Sequence, residues 1–178
     1  MNIRLRRAAI LLVVLSIIPQ VMFGASVKKK EEAVAAIEKH SAEIIGLSDQ
    51  VWALAETALL ETHSSKLLAD YAEKQGFIVE RGVAGMPTAF VASFGQGRPI
   101  IGVLGEYDAL PGLSQKAQAE KEVLQAGAAG QGCGHNLLGA AALGPAWPSR
   151  TWWLRASSRG RSGSTGRPLK KLSAARCT

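Results

Sequence analysis

The sequence predicts an α/β fold in which helices pack on an incomplete sheet. Its first half carries apolar residues at helical spacing, and a set of short β-rich runs follows. The last of these runs, residues 100–104, is continuously apolar, which is typical of a strand in a sheet covered on both faces. The 178 residues are enough for one domain with a buried core.

Two helices are expected before the sheet. Apolar side chains recur at spacings near 3.6 residues across 27–54, which indicates a long amphipathic helix with a kink near Gly46. A cap within residues 62–65 then begins a second helix, and Gly76 ends it as a C′ glycine. His40 and His63 belong to these helical regions, and we expect them to be solvated or structural side chains.

Three strands are expected next, at residues 77–80, 88–94 and 100–104, because β-branched and aromatic residues are common there. Glycine and proline mark the turns between them. A polar connection follows the third strand, and a further helix is expected from Leu137, with Asn136 as its cap.

The N-terminus has the pattern of a secretory signal. Three arginines precede an apolar run at residues 8–18, and Pro19 ends any helix there. The run is too short to span a bilayer comfortably. We therefore expect residues 1–25 to direct export, to the periplasm or the medium, with an uncleaved membrane anchor as the alternative.

The net charge of +7 at pH 7 would suggest a nucleic-acid or membrane partner, but its location argues against this. Residues 1–144 carry 13 Lys and Arg against 14 Asp and Glu, whereas the last 34 residues carry eight Lys and Arg and no acid. No nucleic-acid surface is therefore expected on the body of the chain. Cys133 and Cys177 are too few for a disulfide scaffold, although one bridge could form in an oxidising compartment.

The glycine-rich stretch 130–136 holds the first candidate site residues. Cys133 and His135 are two residues apart, so in an extended segment their side chains point the same way. A thiolate and an imidazole that face one point suit zinc or a similar divalent metal, which needs about three or four ligands. The alternative is a glycine-rich turn in which Cys133 packs as a small hydrophobe and His135 caps a loop.

An acidic pair, Glu106 and Asp108, follows the apolar strand. Ligands in open α/β sheets bind beyond the carboxyl ends of strands, and side chains two residues apart can face one site. Carboxylates in that place could orient a metal-bound histidine or accept a proton. The alternative is an acidic turn in which Asp108 bonds local backbone amides.

Two motifs, GEYDALPG at residues 105–112 and GCGHNLLG at residues 132–139, resemble those of the metal-dependent amidohydrolases and carboxypeptidases of the aminoacylase type. The resemblance covers about residues 27–144. It implies that residues 26–144 are the N-terminal part of a zinc-peptidase-like catalytic domain that holds two Zn or Mn ions. It also implies that Cys133 and His135 are metal ligands, and that Glu106, Asp108 and Asn136 lie in the pocket. Complete members carry an inserted dimerisation domain and are expected to be oligomers.

The reaction that the resemblance implies is hydrolysis of an amide bond in an N-acyl amino acid or a p-aminobenzoyl-glutamate-like dipeptide. Metal ions lower the pKa of a bound water, and a glutamate takes its proton. The family supplies this glutamate in a Pro-Ala-Glu-Glu motif, and later histidines complete the site. This chain has no Glu after Glu122 and no His after His135, so we expect the 178-residue chain to be inactive.

The last part of the chain has the composition of an out-of-frame translation. When the last base of each codon is joined to the first two of the next, residues 146–151 can read Met-Ala-Val-Lys-Asp. Residues 159–172 can likewise read Gly-Thr-Ile-Arg-Phe-Tyr-Gly-Thr-Pro-Ala-Glu-Glu, the missing motif. We therefore expect residues 145–178 to be a basic, disordered tail that results from a frameshift.

Three other interpretations remain open at this point. The tail could be a genuine basic segment that binds an acidic partner. The chain could be a small exported module that binds a transition metal through Cys133 and His135 without catalysis. It could also be a membrane-associated protein held by residues 8–18 and the basic tail.

Overall fold

The computed structural model describes residues 27–95, 101–144 and 170–174. The predicted signal at residues 1–25 and most of the predicted tail lie outside the described residues. None of the helices in the described ranges has the length and apolar character that crossing a membrane requires.

The N-terminal helical region consists of two helices, not one kinked helix. Helix α1 is described over residues 27–38, and helix α2 spans Ser41–Leu54. The break lies at residues 39–40, where the His40 N–H bonds the Ile37 carbonyl, three residues back, at 2.9 Å. The predicted kink near Gly46 is therefore wrong, because Gly46 lies inside α2 and the break lies nearly two helical turns earlier.

Helix α3 spans Thr62–Lys74, and Gly76 follows it with φ 86°, so the predicted C′ glycine is confirmed. Leu68 is fully buried on the inner face of this helix. The predicted cap within residues 62–65 is wrong. No side chain at the N-cap position bonds the helix, and the amides of the first turn are bonded by the distant Glu56 instead.

Within the residues that the structure describes, the sheet has four strands in the order β1-β2-β4-β3. Their bounds are Ile78–Arg81 for β1, Phe90–Phe94 for β2, Leu104–Gly105 for β3 and Lys170–Ala174 for β4. β1 pairs with β2 in antiparallel fashion, with Val79 opposite Ala92, and β2 pairs with β4 in the same sense. β3 and β4 are parallel, so the sheet is mixed.

The first two predicted strands are confirmed to within two residues, and the third is shorter than predicted. It begins at Leu104 instead of residue 100, and the Leu104 side chain is 61% exposed. The expectation that both faces of this strand are covered is therefore wrong at Leu104. In the described ranges the sheet ends at β3, and the helix His135–Leu143, α4, packs against this strand at Gly105.

Strand β4 lies within the segment predicted to be a disordered tail. The expectation of disorder does not hold for Lys170–Ala174, which pairs with both β2 and β3. Strand pairing uses backbone N–H and C=O groups, so a basic segment can fill the gap between two strands whose backbone groups need partners. The frameshift itself stays a prediction, since it concerns the coding sequence.

The core lies where α2, α3 and α4 pack on the sheet, as an α/β fold requires. Helix α4 spans His135–Leu143 and contributes Ala140 and Leu143. The rings of Phe90 and Tyr107 stack with centroids 6.1 Å apart. The remaining buried members of the core are Leu47, Val51, Leu68, Ala69, Ala72, Phe77 and Ala92.

Helix α4 begins two residues before the predicted Leu137, and Asn136 is not its cap. The N-cap residue is Gly134, whose φ of 72° places it in the left-handed region that glycine adopts without strain. The helix therefore starts at His135, which puts the imidazole on its first residue.

Candidate active site

His135 lies between the carboxylates of Glu106 and Asp108, which belong to the GEYDALPG motif at residues 105–112, called the acidic motif below. Its Nδ1 atom is 2.8 Å from Oδ1 of Asp108, and its Nε2 atom is 3.1 Å from Oε2 of Glu106. The His135 and Asp108 side chains are buried, and the Glu106 side chain is 23% exposed. The structure therefore brings three of the five predicted site residues into one cluster, with Glu106 on its accessible side.

The acidic motif is held beside the glycine-rich stretch by backbone pairing. The N–H of Leu110 bonds the carbonyl of Gly130 at 2.9 Å, and the N–H of Gly130 bonds the carbonyl of Leu110 at 3.0 Å. This reciprocal bridge closes the loop of residues 111–129. It explains how Asp108 and His135, which are 27 residues apart, come into contact.

Gln131 is a structural member of the site that the sequence did not suggest. Its buried side chain accepts the N–H of Asn136 at 3.0 Å, in the first turn of α4, and its amide nitrogen lies 3.5 Å from the carbonyl oxygen of Tyr107. It thus acts as the side-chain cap of α4 and ties that helix to the acidic motif. Helix-capping propensities would not have identified Gln131 as a cap, because the fold brings its two partners, Asn136 and Tyr107, to its side chain.

Asn136 is buried, and its side chain is directed to helix α2, not to the carboxylates. Its Nδ2 atom donates to Oγ of Ser48 at 3.0 Å and lies 3.4 Å from the Ser48 carbonyl oxygen. In the described contacts the Asn136 amide joins α4 to α2, next to the cluster.

Cys133 is exposed, with a free thiol, two residues before His135. In the ranges that the structure describes, no group of three or more His, Cys, Asp and Glu side chains is arranged to hold a metal ion. The donor types in this part of the sequence are an imidazole, a carboxylate and the thiol of Cys133, of which all three suit Zn and the carboxylate also suits Mn. These residues fit part of a metal centre, and further ligands would be needed to complete it.

Two carboxylates around one imidazole make the cluster electrostatically negative, which favours a bound cation. The Asp108 contact also has a specific consequence. A carboxylate that accepts the Nδ1 proton of a histidine fixes the orientation of the ring, and a metal ion on the other side of the ring would bind Nε2. Chemically, the arrangement presents one oriented imidazole nitrogen beside a carboxylate, at the open side of the cluster.

Two solved structures share the fold of this chain. An M20-family dinuclear metal-binding peptidase of Bacillus subtilis superposes with a TM-score of 0.55 and 17% identity, over 77% of this chain and 35% of that one. A protein assigned as an aminohydrolase, from methicillin-resistant Staphylococcus aureus, gives 0.59 and 16%, over 81% and 34%. At these identities the likeness shows the fold, and the predicted α/β class is confirmed.

The sequence comparison is more specific. Over 118 residues, 66% of this chain, the sequence is 48% identical to a subunit of the p-aminobenzoyl-glutamate hydrolase of Escherichia coli (strain K12). The predicted resemblance to metal-dependent amidohydrolases of the aminoacylase type is therefore confirmed. The aligned part is 24% of that relative, so the chain spans about a quarter of its length. No protein-family model matches the chain.

Proposed function

We propose that this chain is part of a metal-dependent amidohydrolase that cleaves the amide bond of an N-acyl amino acid or a p-aminobenzoyl-glutamate-like dipeptide. The observation that carries the proposal is the His135 imidazole, held by Asp108 at 2.8 Å with Nε2 toward Glu106. The name of the Escherichia coli relative, a hydrolase of p-aminobenzoyl-glutamate, supports this substrate class.

Cys133 and His135 are the proposed metal ligands, for Zn or Mn. Asp108 would hold the Nδ1 proton so that Nε2 of His135 is available to the metal, and Glu106 would lie beside the ion. When bound, such a metal lowers the pKa of a water molecule and polarises the amide carbonyl. A complete family site has two ions.

The general base and the remaining ligands are proposed to lie in a longer product. The chain has no Glu after Glu122 and no His after His135, whereas the alternative frame of residues 159–172 can read Pro-Ala-Glu-Glu. The 178-residue chain is accordingly proposed to be inactive by itself, and the longer product to form oligomers. Residues 1–25 are proposed to export it.

Activity of two purified proteins tests this proposal. One is the 178-residue chain, and the other is encoded by the gene with its frame restored after residue 144. Release of p-aminobenzoate is measured with Zn or Mn present. We expect hydrolysis by the longer protein only, and loss of it with a chelator, with Cys133→Ala and with His135→Asn. His40→Asn, at the residue that precedes α2, is the control and should retain activity.

Two results would contradict the proposal. Chelator-sensitive hydrolysis by the 178-residue chain would show that the described residues suffice for catalysis. A longer protein that binds zinc stoichiometrically, but hydrolyses no acyl-amino-acid substrate, would instead support a metal-binding module without catalysis.

A further inference from the structure

The junction between α2 and α3 holds two glutamates, Glu56 and Glu61, that are connected to the acidic motif from its two sides. Glu56 is largely buried and Glu61 fully so. Neither contacts His135 in the described hydrogen bonds and ion pairs. Neither is among the proposed metal ligands, Cys133 and His135. Burying carboxylates is costly unless they are well hydrogen-bonded, so their partners are informative.

Glu56 bonds both the first turn of α3 and the acidic motif. Its carboxylate accepts the backbone N–H groups of His63 at 3.0 Å and Ser64 at 2.7 Å, which are otherwise unsatisfied donors of the first turn of α3. Its own carbonyl accepts the N–H of Ala109 at 2.7 Å, beside the bridge between Thr57 and Ala109. Glu56 therefore holds the residue that follows Asp108 against the start of α3.

Glu61 acts on the residue that precedes Asp108. Its Oε2 atom accepts the hydroxyl of Thr88 at 2.8 Å, and the Thr88 carbonyl accepts the hydroxyl of Tyr107. All three side chains are almost completely buried. This chain of hydrogen bonds holds Tyr107, on the N-terminal side of Asp108 in the sequence, whereas Glu56 holds Ala109 on its C-terminal side.

We propose that Glu56 and Glu61 are positioning residues, which set the direction of the Asp108 carboxylate and through it the tautomer and orientation of the His135 ring. Asp108 lies between Tyr107 and Ala109 in the sequence. Tyr107 is held through Thr88 by Glu61, and Ala109 is held by Glu56. A carboxylate can orient a ligand histidine only if its own backbone is fixed to within a fraction of an ångström. The inference rests on the proposed function only in taking His135 as a metal ligand.

The test uses the full 178-residue chain without metal, labelled with ¹⁵N-histidine. The His135 ring signals are assigned by their loss in His135→Asn. In the wild-type protein we expect a protonated Nδ1 with a hydrogen-bonded, slowly exchanging proton. Glu56→Gln keeps the size of the side chain but replaces one acceptor by an NH₂ group, which cannot accept an amide proton. We expect it to shift or broaden the His135 Nδ1 proton signal and to raise the zinc Kd about tenfold.

The matched control is Glu73→Gln. It removes an exposed carboxylate from the C-terminal end of α3, the helix whose first turn Glu56 bonds. It should leave the His135 signal and the zinc Kd unchanged. Circular dichroism establishes that each variant is folded. If Glu56→Gln does not fold, Tyr107→Phe decides, because it removes only the hydroxyl that donates to Thr88.

A folded Glu56→Gln or Tyr107→Phe protein with a wild-type His135 Nδ1 signal would overturn the positioning role. A changed signal with an unchanged fold would support it, because a role confined to stability leaves the tautomer as it was. The readout is independent of catalysis, so failure of the longer protein to hydrolyse any substrate would remove the proposed function and leave this result standing.

Discussion

The Nδ1 atom of His135 lies 2.8 Å from Oδ1 of Asp108, and both side chains are buried. One residue follows a two-residue strand and the other begins a helix. Their contact depends on the backbone bridge between Leu110 and Gly130, which brings the two motifs side by side. The distance lies within the usual range of an N–H···O hydrogen bond.

Asp108→Ala is expected to weaken zinc binding by the 178-residue chain. Loss of the carboxylate that orients a ligand histidine typically costs about 10–100-fold in metal affinity. Isothermal titration with zinc measures the change in Kd. Asp70→Ala, which removes an exposed carboxylate of α3 that pairs with Lys66 and with Arg81 of β1, is the control and should bind zinc like the wild type. Equal affinities of the two variants would exclude an orienting role for Asp108.

Glu56 makes the stability of the chain depend on pH. Although its burial acts to raise it, the pKa of Glu56 is lowered below the ordinary 4.5, because the N–H groups of Ser64 and His63 bond the ionised form. A lowered pKa in the folded state gives stability that is complete above about pH 4.5 and is lost as the pH falls through the folded-state value.

Glu56→Gln should therefore unfold more easily than the wild type at pH 7, by about 1 kcal/mol, the usual value of a helix cap. This difference should shrink as the pH falls below 4.5 and the wild-type carboxyl becomes protonated at its lowered pKa. Urea unfolding followed by circular dichroism from pH 3 to 7 measures it. Glu73→Gln, at an exposed ion pair, should show a smaller difference at pH 7. A Glu56→Gln difference that stays constant across this range would rule out the linkage.

Gly139→Ala should destabilise the fold at the candidate site. A Cβ at Gly139 would lie 2.8 Å from the Glu106 carbonyl oxygen and 3.1 Å from Cβ of Tyr107. Helix α4 would have to move away from the acidic motif, at a cost of about 1–3 kcal/mol. Thermal unfolding measures the loss.

The comparison for this variant is Gly46→Ala, inside α2, where an added Cβ meets nothing within 4 Å. It should raise the stability, by up to about 1 kcal/mol, because alanine is the better helix former. If both substitutions change the melting temperature in the same direction, the close packing of α4 on the acidic motif is not the cause of the change in Gly139→Ala.

The intact mass of the protein from its source cell tests the frameshift. We expect a product longer than 178 residues with a peptide that contains Gly-Thr-Pro-Ala-Glu-Glu, as the alternative frame of residues 159–172 reads. C-terminal peptide sequencing identifies the end of the chain. A natural product that ends with Arg176, Cys177 and Thr178 would show that the frame is read as printed.

Local sequence patterns predicted the helices at 62–74 and the strands at 78–81 and 90–94 well, because periodicity and turn residues act over a few positions. They failed at element ends. The break at residues 39–40 contains no glycine or proline, and the amides of α3 and α4 are bonded by Glu56 and Gln131, which lie outside the helices. A cap that comes from a distant residue leaves no signal in the local sequence.

The sequence by itself determined the α/β class, the resemblance to amidohydrolases and the residue types of the candidate site, since motif composition and spacing are local properties. Only the tertiary structure decided that His135 contacts both Glu106 and Asp108. It also decided that Asn136 bonds Ser48 and that Glu56 joins α3 to the acidic motif. These contacts join residues between about 7 and 90 positions apart, and only the packing of helices on the sheet sets such distances.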